Sequence, residues 1–387
     1  MLNSIIHTTL HDDVLRADAI TNHLEHTLSA LLSQPSALLV LSGTMGNQLA
    51  IASHFSSLPY GILTDSRSHI INHEAGGMSS LSSAFPQPVT PSNGKYLTLS
   101  DIKKVAVLPE SEDQDEHQIP TRLIVLENTL GGSILPVSVV EEISAWAKEK
   151  GIKLHLDGAR LWDAVTSLAG RGEFSGDLTT GMQTYGRLFD SVTVCFSKGL
   201  GAPIGSGLVG PERFIRRARH IRKSIGGGMR QTGIIAAPAL VGIQETFFGG
   251  KLARGHGVAR RISEMWTQRG GKLQRDVETN MVWLDLEAAG VAEEEWMRIG
   301  EREGVKVWDG RVVGHYQVCE QAIEAFGRVM DAVLKDRKHV TGKRKAEESD
   351  AGESSKKAKM EDTELTTNGN QKGGFKGYAN VSTNKLD

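Results

Sequence analysis

The stretch Ser191-Val192-Thr193-Val194-Cys195-Phe196-Ser197-Lys198-Gly199-Leu200-Gly201-Ala202-Pro203-Ile204-Gly205-Ser206-Gly207 sets the direction of the whole reading. Val192–Phe196 is a short apolar run of strand length, and a lysine followed by glycines and small residues comes directly after it. Surface lysines rarely have such neighbours. A lysine held where water is excluded loses proton affinity and becomes a usable amine nucleophile.

Outward from this stretch the same pattern recurs. Ala37–Leu41, Leu123–Leu126 and Ile152–Leu156 are further strand candidates, and most lead into glycine-containing turns. Helical patterns fill the gaps at Ile20–Leu32, Met45–His54, Val139–Lys150 and Arg213–Ile221. Strands alternating with helices over about 200 residues predict an α/β fold with a mostly parallel, doubly wound sheet. From about Phe247, helix Leu252–Arg269 leads to strand Asn280–Leu286, elements near Glu294–Glu303 and Val312–Val318, and helix Glu320–Leu334. That pattern predicts a smaller α+β C-terminal domain. The expected organisation is an N-terminal segment 1–35, a large domain 36–246, a small domain 247–337 and a tail 338–387.

Lys338–Asp387 is rich in Lys, Glu, Ser, Asn and Gly and nearly free of large apolar residues. Such a segment buries too little to offset its ordering entropy, so a disordered tail is expected. Its KHVTGKRK and SSKKAK clusters read either as a nuclear address or as a solubilising tail with interleaved acids. Pro109–His117 is an acidic, loop-like interruption.

Composition narrows the function classes. The chain has 387 residues, 39% hydrophobic and 23% charged, which is ordinary globular usage. Lys plus Arg total 44 against 46 Asp plus Glu, a net charge of −2, so no global nucleic-acid-binding field is expected. Two cysteines, Cys195 and Cys319, do not make a disulfide framework and fit a reducing compartment. No segment approaches the ~20 apolar residues of a membrane span, and the first residues lack the features of a signal peptide. A soluble cytoplasmic protein with no membrane partner is the expectation.

Ligands of open α/β sheets bind beyond the carboxyl ends of the strands. Ser42-Gly43-Thr44-Met45-Gly46-Asn47 follows one strand and opens a helix. Its glycines and unpaired N–H groups suit a phosphate, although an ordinary strand–helix turn reads equally well. Asp157-Gly158-Ala159-Arg160 follows another, and taken alone it could be a structural ion pair. Gly226-Gly227-Gly228-Met229-Arg230-Gln231 is either a hinge or, through its arginine, an anion contact. Taken together these are more specific than any one alone, and a phosphate cradle, then an Asp at a strand end, then Lys198 after a later strand is the order expected for pyridoxal phosphate. That cofactor needs its phosphate clamped, its aldehyde held by a lysine amine, and a carboxylate opposite its ring nitrogen. Lys198 and Asp157 supply the last two.

SGTMGNQLA, HLDGARLWDA, SVTVCFSKGLGAPIGS and GGGMRQTGIIAA closely resemble the low-specificity L-threonine aldolases, of the β-eliminating lyase/threonine aldolase group. LENT with a following LP, and RVVGH, extend the match over roughly residues 10 to 335. The resemblance implies a fold-type-I, pyridoxal 5′-phosphate-dependent carbon–carbon lyase. It would cleave L-threonine or L-allo-threonine to glycine and acetaldehyde as a homotetramer or at least a dimer. Lys198 matches the lysine that carries the cofactor and Asp157 the partner of its ring nitrogen. Gly43, Thr44 and Met45 match the phosphate-binding turn. Arg230 matches an arginine reaching the phosphate across a subunit interface, with Lys223 lining that boundary. His69 matches the histidine stacked on the ring, Arg160 and Arg311 the arginines for the substrate carboxylate, and His117 a second active-site histidine. Either His69 or His117 is suited to the proton transfer.

Some positions depart from the family pattern. Leu15 stands where a tyrosine is expected after Asp12-Asp13-Val14, Ala19 replaces a proline, and the stretch after Glu127 reads Asn128-Thr129-Leu130-Gly131-Gly132. The family's upstream Arg-Ser-Asp-Thr segment has no counterpart. A truncated gene model, a weakened aldolase, and an aldolase or β-eliminating lyase for another amino acid all remain open readings.

Overall fold

The computed structural model describes residues 1–55, 58–108 and 116–334; the expected tail and most of the acidic loop lie outside them. Seven strands run in chain order: β1 (Ser36–Val40), β2 (Gly61–Asp65), β3 (Phe85–Val89), β4 (Thr121–Glu127), β5 (Lys153–Gly158), β6 (Ser191–Cys195) and β7 (Ser206–Gly210). They form one sheet in the order β1-β7-β6-β5-β4-β2-β3. The pairs among β2 to β6 are parallel, while β7 runs antiparallel between β1 and β6. The mostly parallel, helix-covered sheet expected from the sequence is therefore present.

Strands buried on both faces carry continuous apolar runs, which is why β1, β4, β5 and β6 are legible in the sequence. The less legible strands have physical reasons to be so. In β3, Pro86 and Pro88 sit in an edge strand, where a missing N–H costs no ladder bond to a second neighbour. β7 begins inside the glycine run after Lys198, and Gly207 is small because a Cβ there would stand 2.4 Å from Leu28 Cδ1.

Helices cover both faces. Gly43–His54 packs against β5, β6 and β7, and Glu212–Ser224 lies against it, closing an apolar cluster of Leu38, Val40, Leu49, Leu208 and Phe214. Gly46 is the close-approach point: a Cβ there would lie 2.7 Å from Thr193 Cγ2, so a larger residue would lift the helix off β6. Ala19–Leu31, Val137–Glu149, Leu161–Gly170 and Leu178–Arg187 complete the main core around Trp162, Tyr185 and Phe196.

A second apolar cluster gathers Trp266, Trp296, Phe326, Val329 and Met330 from helices Lys251–Gln268, Glu293–Arg302 and 320–334. Beside it β8 (Met281–Trp283) pairs antiparallel with β9 (Arg311–Val313). Both strands are shorter than the sequence patterns at Asn280–Leu286 and Val312–Val318 predict. Among the described residues no single helix is long and apolar enough to cross a membrane. Cys195 and Cys319 are free.

Candidate active site

The chemistry-bearing residues collect where β1, β4, β5 and β6 end. β5 and β6 are parallel neighbours, with Asp157 in register with Thr193; Lys198 follows five residues beyond Thr193. β4 lies on the other side of β5 and places Glu127 in register with Asp157. The helix Gly43–His54 begins just past β1 and sends Asn47 down from its first turns into the same space.

Asp157 is 3% exposed, yet both of its partners are uncharged. Asn47 Nδ2 donates to one oxygen at 2.7 Å and the Ala159 N–H to the other at 3.0 Å. A buried carboxylate normally needs a cation or several strong donors, and among the described residues Asp157 enters no ion pair. Glu74 is buried beside it and accepts from Asn47 Nδ2 at 2.9 Å, Gln48 Nε2 at 2.6 Å and His69 Nδ1 at 2.9 Å. His69 also gives its backbone N–H to Glu127 at 2.9 Å. The Glu74 hydrogen bond, opposed by burial and helped by the charge of Asp157, raises the pKa of His69 above the ordinary imidazole value. Glu127 is pushed up to about 8, first by burial and then by the charge of Asp157.

His69, Glu74 and Asp157 bring ligand atoms within 4.8 Å of one another, a spacing that could hold a metal ion. Their inward oxygens already receive N–H groups from Asn47, Gln48 and His69. Hydrogens occupy the directions a cation would need, so the donor set suits a hydrogen-bonded network rather than a metal.

Lys198 is partly buried and its side chain makes no hydrogen bond or ion pair among the described residues; its charge is felt by both His69 and Glu127. Gly199 beside it is constrained, since a Cβ would meet Asp163 Oδ2 and Leu252 Cδ2 at 2.9 Å. Among the described residues the Arg160 side chain, at the start of helix Leu161–Gly170, likewise makes no hydrogen bond or ion pair. Its pKa is lowered by burial first, then raised by Asp163 and lowered by Arg311. Two neighbouring guanidiniums, neither held in an ion pair among the described residues, suit an anion such as a carboxylate. The structure thus brings Lys198, Asp157, His69, Arg160 and Arg311 into one electrostatic neighbourhood.

Gly43 and Thr44 open the helix with free N–H groups, whereas the Met45 N–H is already donated to Ser42 Oγ at 3.1 Å. A Cβ on Gly43 would find only Ser206 Oγ, at 3.9 Å, so the turn has open space for a ligand. The glycine loop reaches this turn: a Cβ on Gly227 would touch Met45 Cε at 2.8 Å. Lys223 and Arg230 stand outside the cluster. Lys223 is exposed beside Gly228, and Arg230, 68% exposed, pairs with Asp12 at 2.6 Å. His117 sits in an exposed turn ahead of Thr121, the amino end of β4, and the single chain does not bring it to the carboxyl-end cluster.

Asn47, Glu74, Glu127 and His155 belong to the site but were not singled out for roles from sequence. Asn47, Glu127 and His155 lie inside SGTMGNQLA, LENT and HLDGARLWDA, and Glu74 five residues after His69, but nothing local in the sequence announces partners that lie across the fold.

A partly buried lysine with no side-chain partner among the described residues, a buried carboxylate in no ion pair, an open helix N-terminus and an arginine pair together define an enzyme site whose chemistry fits pyridoxal 5′-phosphate on a doubly wound sheet. The chain belongs to the beta-eliminating lyase family, whose profile matches residues 1–289. It is 48% identical over 334 residues to Aldolase vrtJ of Penicillium aethiopicum, covering 86% of this chain and 82% of that protein. It is 42% identical to Alanine racemase TOXG of Cochliobolus carbonum, over 87% of this chain and 84% of that one. The low specificity L-threonine aldolase of Saccharomyces cerevisiae is 41% identical, over 84% and 80%. The same fold appears in the solved threonine aldolase of Leishmania major, with a TM-score of 0.66 at 22% identity over 82% of this chain and 90% of that one.

Proposed function

We propose that the protein is a pyridoxal 5′-phosphate-dependent lyase that cleaves L-threonine and L-allo-threonine to glycine and acetaldehyde. The observation that carries this reading is the Arg160–Arg311 pair, in no ion pair among the described residues, with Arg160 just past the strand end that holds the buried Asp157. Lys198 would hold the cofactor's aldehyde carbon, Asp157 its ring nitrogen, and the Gly43 and Thr44 N–H groups its phosphate. The bound cofactor supplies a sink for the electron pair left on Cα when the Cα–Cβ bond breaks.

The chain's own groups do the rest. Arg160 and Arg311 fix the substrate carboxylate by forked hydrogen bonds, which decides the bond presented for cleavage. His69 gives its Nδ1 hydrogen to Glu74, an acceptor-only carboxylate, so the neutral ring has a bare Nε2. That nitrogen takes the β-hydroxyl proton as the Cα–Cβ bond breaks and acetaldehyde leaves. Return of a proton to Cα completes glycine.

A second reading, a lyase for another β-hydroxy amino acid or a β-eliminating one, draws support from Leu130-Gly131-Gly132. Trp283 Nε1 donates to Gly131 O at 2.7 Å, which ties this departing stretch to β8, the strand paired with that of Arg311. The relative named an aldolase is compatible with either lyase reading. Assembly into dimers or tetramers, with Arg230 completing a neighbour's phosphate site, a cytoplasmic location and a part in threonine breakdown and glycine supply belong to the first reading.

Purified protein loaded with cofactor is to be incubated with L-threonine, L-allo-threonine, a longer β-hydroxy amino acid and an amino acid with a β-leaving group. Acetaldehyde with equimolar glycine, lost in Lys198→Ala, supports the first reading. Pyruvate with ammonia, or a different aldehyde as main product, replaces it with the second.

A further inference from the structure

A line of buried hydrogen bonds runs from Asp157 through the sheet to its other end. Asn47 Nδ2 lies 2.7 Å from Asp157 Oδ2 and 2.9 Å from Glu74 Oε1. Asn47 Oδ1 lies 3.2 Å from His155 Nε2, His155 Nδ1 is 2.7 Å from Ser191 Oγ, and His54 Nε2 is 2.7 Å from the same hydroxyl. Asn47, His155 and Ser191 are all essentially inaccessible to solvent. His54, at the last turn of the helix that begins at Gly43, lines a surface cavity of about 490 Å³ with Lys153, Asp190, Arg213 and Arg217.

The donor inventory allows only one arrangement of hydrogens along this line. Asn47 spends both amide hydrogens on carboxylates, so its oxygen can only accept. His155 must then carry its proton on Nε2. Burial pushes the His155 pKa down to about 3, so the ring is neutral and Nδ1 is bare. Ser191 must donate to that Nδ1, and its own oxygen must accept from His54 Nε2. Every donor therefore points toward Asp157, and hydrogen bonds aligned in one sense polarise each other.

We propose that Asn47, His155, Ser191 and His54 form a one-way hydrogen-bonded relay that positions Asp157 and keeps it a strong partner for the cofactor's ring nitrogen. None of the four is a catalytic residue; each acts through Asp157. The groups facing His155 are Asn47 and His54 from the helix, Ser191 from β6, and Asp157 and Lys153 along its own strand. No cation among them competes for the Asn47 oxygen. Breaking the relay frees His155 to move its proton to Nδ1, which leaves Asn47 Oδ1 facing a lone pair and the amide free to turn away from Asp157.

This inference rests on the cofactor lying against Asp157 and not on the identity of the substrate. The test uses the full-length holoenzyme loaded with pyridoxal phosphate carrying ¹⁵N in its ring, and reads the nitrogen's chemical shift against pH together with the cofactor dissociation constant. Asp157→Asn establishes the signal of a nitrogen without its carboxylate. Ser191→Ala is expected to lower the nitrogen's proton affinity about tenfold and to weaken cofactor binding in the same direction. Asn47→Leu should approach the Asp157→Asn limit, and Ser53→Ala, a neighbouring buried hydroxyl outside the relay, should change neither readout. If Asn47→Leu does not fold, Ser191→Ala still decides. An unchanged shift and affinity in folded Ser191→Ala, with Asp157→Asn showing its effect, overturns the relay alone. A wild-type nitrogen insensitive to Asp157→Asn overturns both the relay and the cofactor placement.

Discussion

Glu127 and Asp157 are register partners at the ends of neighbouring parallel strands, and their closeness in that buried place raises the pKa of Glu127. Burial first, and the charge of Asp157 second, push Glu127 up to about 8, so near neutrality it carries a proton. Its oxygen nevertheless accepts the His69 N–H, which a neutral carboxyl group can do. Protonated near neutrality, Glu127 adds no further negative charge on its side of Asp157, the carboxylate placed for the ring nitrogen.

Glu127→Gln imitates the protonated group in shape and hydrogen bonding. Cofactor binding and turnover at pH 7 should therefore stay within a few-fold of wild type. Because the folded pKa is raised above the unfolded value, this carboxyl weakens the fold progressively as pH rises from the ordinary glutamate range to about 8. Glu127→Gln removes that decline. Urea denaturation between pH 5 and 9 checks it: a wild-type pH slope retained in the variant contradicts the assignment.

The arginine pair makes the second prediction. Arg160→Lys and Arg311→Lys keep a charge but lose the flat, forked donor geometry. Each should raise KM for threonine roughly 10- to 100-fold, the value of a charged hydrogen bond, while leaving the visible absorption of the bound cofactor intact. A loss of the cofactor band with KM unchanged would move these residues from substrate to cofactor.

Much of this site was legible before the structure. Lys198 and Asp157 stand out because an ionisable residue directly after a buried apolar strand has few reasons to be there, and the two strands proved to be neighbours. Arg160 was noticed beside Asp157 as a possible ion-pair partner, but its carboxylate-binding role, and Arg311 altogether, came only through family resemblance, since nothing local in Arg311-Val312-Val313 announces an arginine facing another element. Glu74 and Asn47 were invisible for a different reason: their partners are 27 and 110 residues apart in sequence, and only the folded sheet joins them. Strands β3 and β7 hide behind prolines and glycines that their edge and close-packed positions tolerate.

A pH prediction follows from His69 and Glu74. The hydrogen bond from Nδ1 to Glu74 raises the imidazole pKa, so the bare Nε2 needed for proton removal appears only above the ordinary value of about 6.5. The acid limb of kcat should therefore lie above pH 6.5. Removing the charge in Glu74→Gln should shift that limb downward, whatever it does to the absolute rate. By the same linkage the pair stabilises the fold fully below the unfolded pKa and loses that contribution as pH rises through the folded one. A pH profile with an unmoved acid limb assigns the base to another group.

Burial holds His155 and His54 at about 3, far below the ordinary imidazole value. Below pH 6.5 the unfolded chain takes up protons that the folded chain refuses. Each pH unit then costs about 1.4 kcal/mol per histidine until the folded value is reached. The stability conferred by neutral histidines is complete above 6.5 and falls between there and about 3. His54→Phe should flatten the decline measured by denaturation from pH 7 to 5, even if its stability at pH 7 is lower. An equally steep decline would show that other groups take up the protons.

Trp296 offers the last test, because it joins packing to the substrate end of the site. It is fully buried, its ring meets Trp266 at 6.1 Å and Phe326 at 5.8 Å, and its Nε1 donates to Asp309 O at 3.0 Å. Asp309 Oδ1 in turn accepts the Arg311 N–H at 2.9 Å, so the indole anchors the turn that seats Arg311. Trp296→Phe keeps an aromatic ring but loses the N–H and part of the volume, at a cost of about 1–3 kcal/mol. The melting temperature should drop, and KM for threonine should rise several-fold while kcat changes less. The cofactor absorption should not change, since Lys198 and Asp157 rest on the main sheet. A lower melting temperature with KM untouched would show that Arg311 is held by its strand pairing with Trp283 rather than by the Asp309 turn.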